Sequence, residues 1–176
     1  MDRSKRPQNA VLINLGRAEP ARRQLGLLLD DMAEAGDVYE KRSGVEDRIG
    51  FERVDDAAGL AGADAAVLGL DVSDACFEEV LAALEPGSIA YAVLACGDRV
   101  AEDALGILSV LGECCDERGV VWGGGVAVAH SRTVEAFARS PRLGFWRRAT
   151  SEPSTVFWSR SAAARRRATS RPSKGL

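Results

Sequence analysis

Four stretches of the chain are apolar almost without interruption: "AVLINL" at 10–15, "AAVLGL" at 65–70, "IAYAVLAC" at 89–96 and "VVWGGGVAVA" at 120–129. They do not alternate polar with apolar positions. Strands apolar on both faces belong to parallel sheets that helices cover on either side. Between these stretches the period changes to that of a helix. Leu25, Leu28, Leu29 and Met32 fall at i, i+3, i+4 and i+7, behind Pro20 in a first-turn position. Phe77, Val80, Leu81 and Leu84 repeat the spacing, with Asp74 as the expected N-cap and "PG" at 86–87 as the stop. A third helix is predicted over roughly residues 100–118, with Ala104, Leu108, Leu111 and Cys115 on one stripe and Gly119 at its end. Strand and helix alternate, and right-handed crossovers turn that alternation into an open, doubly wound α/β sheet.

One more strand is needed between Gly36 and Asp64, and two segments compete for it. "DVYEKR" (37–42) has the better position, directly after the first helix; "RIGFERV" (48–54) has the better β composition. One is expected in the sheet and the other in a hairpin or loop. "DDAAGLAGAD" (55–64) reads as a single short helical turn. In the last quarter, Pro141 and Pro153 interrupt the pattern, while Phe137, Phe145, Trp146, Phe157 and Trp158 supply apolar surface for a closing helix. Beyond 160 only alanine is apolar until the final Leu176, so 1–160 is read as a single domain and 161–176 as a basic tail, disordered or a frayed helix.

With 176 residues, 46% of them hydrophobic, the chain is long enough for one domain with a real core. No window of about 20 apolar residues occurs, and the start "MDRSKRPQNA" lacks the apolar centre of a secretory signal. The expected location is the cytoplasm. The net charge of −3 hides a split: residues 7–150 hold 14 Lys/Arg against 24 Asp/Glu, a net −10, whereas residues 151–176 are +5 and residues 1–6 are +2. An acidic body argues against a nucleic-acid surface on the fold itself, because phosphate neutralisation needs clustered cations. The tail "ARRRATSRPSKGL" reads as a solvated end, with nucleic acid or an acidic partner as its alternatives.

The cysteines, Cys76, Cys96, Cys114 and Cys115, have no CxxC spacing, and His130 is the sole histidine. Reduced, mostly buried thiols are expected rather than a zinc site or a disulfide framework, and no metal ligand is assigned. Neither a G-x-S-x-G elbow nor a G-x-x-x-x-G-K-[ST] loop is present. Cys96 could pair with His130 as a nucleophile, although two residues meeting by chance is the simpler reading, and no catalytic residue is assigned. Asp71, Asp74 and Asp98 gather at the same sheet edge, as caps or as ligands for a cation such as Mg²⁺.

"GADAAVLGLDVSD" (62–74), "AVLACGD" (92–98) and "ERGVVWGGGVAVA" (117–129) are similar to the third, fourth and fifth strands of the flavodoxin-like superfamily. Within it, the chain resembles the flavodoxin and NADPH-dependent FMN reductase group over roughly residues 10–130. The resemblance implies a three-layer sandwich: a five-stranded parallel sheet in the order 2-1-3-4-5 with helices on both faces. It implies FMN across the carboxyl ends of the strands, where open α/β sheets bind ligands. On that reading Gly16, Arg17 and Arg22 face the phosphate, while Asp71, Val72, Ser73, Gly97 and Asp98 belong to the two loops beside the ring. Electron or hydride transfer as an NAD(P)H-dependent FMN reductase would follow, with NAD(P)H or an electron-transfer protein as partner and a homodimer as assembly.

The loops depart from the family's pattern. "GRAEPARRQ" (16–24) keeps a single glycine and has no hydroxyl, so Arg17, Arg22 and Arg23 would have to replace hydroxyls with charge. Against that, Arg22 and Arg23 suit the solvent face of the helix, and Glu19 competes for the place an anion would take. "LDVSDAC" (70–76) and "CGDRVAED" (96–103) offer no aromatic to stack on a flavin. The glycines at 123–125 match the pattern, and they equally suit a buried strand that another group approaches closely. A second reading therefore stands beside the first: a flavodoxin-like domain without flavin, serving as a binding or regulatory module.

Overall fold

Every apolar stretch becomes a strand of one sheet. The structure, a computed structural model, describes residues 9–43, 50–73, 77–97, 102–129, 131 and 134–135. The elements run β1 (Asn9–Asn14), α1 (Ala21–Ser43), β2 (Gly50–Val54), a 3-10 turn (Ala57–Leu60), β3 (Ala65–Asp71), α2 (Glu78–Ala83), β4 (Ile89–Ala95), α3 (Glu102–Glu117) and β5 (Val121–Val128). The five strands form one sheet in the order β2-β1-β3-β4-β5, and every neighbouring pair is parallel.

Alternating side chains send the two faces of the sheet into separate cores. Val11, Ile13, Ala66, Leu68, Ala92 and Leu94 pack with α2, α3 and the 3-10 turn. Leu12, Val67, Tyr91 and Val93 pack with Leu25, Leu28, Leu29 and Met32, the stripe of α1 that its spacing foretold. Helices thus lie on both faces, which is why the central strands are apolar on both sides.

The contest for the second strand is settled for 48–54, of which Gly50–Val54 is strand beside β1. "DVYEKR" is neither hairpin nor loop; it is the continuation of α1, which runs to Ser43. The physical reason lies at Gly36, which reads as a break but serves as a contact. A Cβ there would stand 2.7 Å from Phe51 Cζ, so the missing side chain makes room for the β2 ring against the helix. Arg53 fixes the same pair by donating from Nη2 to Gly26 O (2.8 Å) and to Asp30 Oδ1 (2.6 Å).

α2 is shorter than its spacing suggests: Phe77 holds the N-cap position, with no capping bond from its side chain. Asp74, the expected cap, lies outside the described residues, as do His130, Cys76 and the segment 136–176. Among the described residues, no helix is long and apolar enough to cross a membrane.

The glycines of β5 have packing duties. Ala90 pairs with Trp122 and Tyr91 with Gly124, so Gly123 is the extra residue of a bulge. A Cβ on Gly123 would collide with Tyr91 Cε1, and one on Gly125 would collide with Leu108 Cδ2. Gly124 holds φ +105, a conformation side chains rarely adopt. One glycine makes space for each core and the middle one turns the chain between them.

Candidate functional site

In a sheet of this topology the strands β1, β3 and β4 end together, and ligands of open α/β sheets bind beyond those ends. The backbone beyond β1 is shaped by Asn14 and Gly16. Asn14 Oδ1 accepts from Gly16 N (3.0 Å) and its Nδ2 donates to Arg22 O (2.7 Å), which ties the turn to the first coil of α1. Gly16 is buried against that coil: a Cβ would meet Arg22 Cα at 2.8 Å. Arg17 and Arg22 are exposed at this turn. Arg23 is committed to two carboxylates, Glu19 at 3.4 Å and Glu135 at 3.7 Å.

Beyond β3, Asp71 is half-buried and turned on its own chain. Its Oδ1 accepts from Ser73 N (2.8 Å) and from Ser73 Oγ (2.7 Å), a local turn that consumes both donors of the serine. Val72 is buried, with its side chain in the core beside Phe77. Beyond β4, Cys96 is buried, its Sγ 4.0 Å from Leu94 O, so the thiol is no exposed nucleophile. Gly97 adopts φ +59 with open space around its Cα, yet its N–H turns inward and donates to Ser131 Oγ (2.9 Å). Asp98 lies outside the described residues.

Ser131 and Gln24, which sequence reasoning did not single out, complete this edge. The Ser131 hydroxyl is fully buried and donates to Oε1 of Gln24 (3.1 Å), itself only 3% exposed. Residues 34 and 107 positions apart in sequence thereby form one buried polar chain from the β4 loop to the first coil of α1. No local pattern could have revealed it.

The first two residues beyond each of β1, β3 and β4 offer six backbone N–H groups, and all six are bonded within the protein. Leu15 donates to Gly69 O, Val72 to Ala95 O and Cys96 to Val128 O. Gly16, Ser73 and Gly97 donate to the side chains of Asn14, Asp71 and Ser131.

An FMN phosphate, close to a dianion, requires charged or hydroxyl donors to replace its water. Between Gly16 and Gln24 there is no hydroxyl, Pro20 has no N–H, Glu19 adds a carboxylate, and Arg23 is already neutralised. Arg17 and Arg22 remain as exposed charged donors at this turn, and residues 74–76 and 98–100 of the two neighbouring loops lie outside the described residues.

Cys115 is buried on α3, and its pKa is pushed up to about 11, by burial first and then by Cys114 and Asp116, with Arg118 acting in the opposite sense. A raised thiol pKa favours the neutral form in the folded protein, so the associated stability is present below pH 9.0 and lost as pH rises toward 11. At pH 8, Cys115 is therefore expected to resist a thiol-specific disulfide reagent in the native protein and to react fully in urea. Peptide mapping of the labelled protein checks this, and native labelling of Cys115 would contradict the burial.

Five parallel strands in the order 2-1-3-4-5 with helices on both faces are a flavodoxin-like fold. Solved structures share it at low identity. An oxidoreductase from Corynebacterium diphtheriae is 14% identical with a TM-score of 0.58, covering 86% of this chain and 94% of that one. Oxidised flavodoxin 1 from Bacillus cereus is 16% identical at a TM-score of 0.42, covering 73% and 93%; a flavodoxin from the domain Archaea is 9% identical at 0.48, covering 88% and 99%. No protein-family model and no curated protein matches the chain. Such likeness carries the fold, and the chemistry rests on this chain's own residues.

Proposed function

We propose that this chain is a flavodoxin-like domain that works without flavin, as a binding or regulatory module. The reading is supported by the internal use of all six N–H donors beyond β1, β3 and β4. A ligand that takes any of these six N–H groups must break a bond the protein already makes, and each broken bond subtracts from affinity. A second reading is FMN binding with electron or hydride transfer of the NAD(P)H-dependent FMN reductase type. It is supported by the likeness to the Corynebacterium oxidoreductase and by the exposure of Arg17 and Arg22 at the turn. The two readings part on the absorption spectrum of the protein purified from a flavin-replete host. The module reading expects a colourless protein whose acid-denatured supernatant contains no FMN, whereas stoichiometric FMN would favour the reductase reading.

A further inference from the structure

Among the described residues, the large hydrophobic side chains that stand exposed are Leu105 (61%), Val110 (48%) and Val121 (43%). Leu105 and Val110 belong to α3, whereas Val121 opens β5 in register with Ile89, on the sheet face opposite α3, and its neighbour Trp122 is the residue that faces Gly112 of α3. Val110, Glu113 and Glu117 fall at i, i+3 and i+7, so an apolar group and two exposed carboxylates share one helix face, with exposed Asp116 beside them. α3, "EDALGILSVLGECCDE", contains five carboxylates and no Lys or Arg. Its last turn places Glu113, Asp116 and Glu117 toward the negative end of the helix dipole, an arrangement that calls for cations.

The same chain supplies matching chemistry. Residues 9–135 carry a net −14, and residues 136–176 carry +9 with five of the ten aromatic residues. From Val156 onward the sequence "VFWSRSAAARRRATSRPSKGL" joins Phe157 and Trp158 to six Lys/Arg with no acid. The twenty residues 136–155 can span up to about 65 Å when extended, more than enough to reach α3 from Glu135. We propose that this C-terminal segment docks on the exposed face of α3, with Phe157 and Trp158 over Val110 and the run Arg165, Arg166 and Arg167 against Glu113, Asp116 and Glu117. The module thereby carries its own occupant for an interaction face, one that salt displaces because the contact is largely between exposed charges.

The test uses the full chain and follows backbone amide resonances by NMR. In wild type, the amides of Val110, Glu113 and Glu117 are expected to shift on moving to high salt. Two variants should show the high-salt positions already at low salt: Phe157→Ser with Trp158→Ser, and the charge reversal Arg165→Glu, Arg166→Glu and Arg167→Glu. Adding Glu113→Lys and Glu117→Lys to the charge reversal should restore the docked pattern in part, which a purely local effect of either set would not do. Identical α3 resonances in wild type and both variants would overturn the proposal. So would changes that scale with protein concentration and accompany a dimer in sedimentation, because the occupant would then be a second copy.

Discussion

Gly123→Ala is expected to lower stability by about 1–3 kcal/mol, the usual cost of overpacking a close-packed site. The added methyl would collide with Cε1 of Tyr91, which is 1% exposed and cannot swing into solvent without opening the core beside α1. Replacing glycine also restricts the unfolded chain, a gain of about 0.4–1 kcal/mol that is too small to offset the clash. For a chain of this size the loss amounts to a fall of about 2–12 °C in Tm. The same substitution in a Tyr91→Leu background should cost much less, since the two residues share one contact. Equal cost in both backgrounds, measured by thermal unfolding, would mean that Gly123 is not there to admit the ring.

Ser131→Ala is expected to cost about 1–3 kcal/mol, the penalty for leaving a buried polar group unpaired. The hydroxyl accepts from Gly97 N and donates to Gln24 Oε1, so its loss strands both partners at once. Gly97 is partly exposed, which leaves the buried Gln24 carbonyl to account for most of the loss. Urea unfolding should show a lower midpoint with an unchanged slope, together with faster exchange of the Gly97 amide. A midpoint equal to wild type would remove the buried polar chain from the account of this edge.

The legible and illegible parts of the chain divide along the range of the interactions. The strands at 65–70 and 89–96 announce themselves because covered parallel strands need apolar side chains in both directions. The stripe Leu25, Leu28, Leu29 and Met32 is legible for the corresponding helical reason. Gly36 misled because a glycine that stops a helix and one that admits a neighbouring ring look alike in sequence; only the position of Phe51 separates them. The glycines of β5 posed the same ambiguity, and Tyr91 and Leu108 resolve it in favour of packing. At the candidate site, the missing hydroxyls and the Glu19–Arg23 pair at i, i+4 were readable, since both are local. The Gly97–Ser131–Gln24 chain was not, because its members meet only once β4, β5 and α1 have assembled.

The proposed module, whose six N–H groups beyond β1, β3 and β4 are bonded within the protein, is expected to take up no flavin. Titrating the purified protein into FMN and into riboflavin, and following flavin fluorescence, tests it most directly. The turn after β1 lacks hydroxyls and the six N–H groups nearest the strand ends are bonded within the protein, so neither flavin should be quenched at tens of micromolar protein, and Arg17→Ala should behave as wild type does. Saturable quenching by wild type that prefers FMN over riboflavin, with the preference lost in Arg17→Ala, would contradict the account and assign the turn to a phosphate.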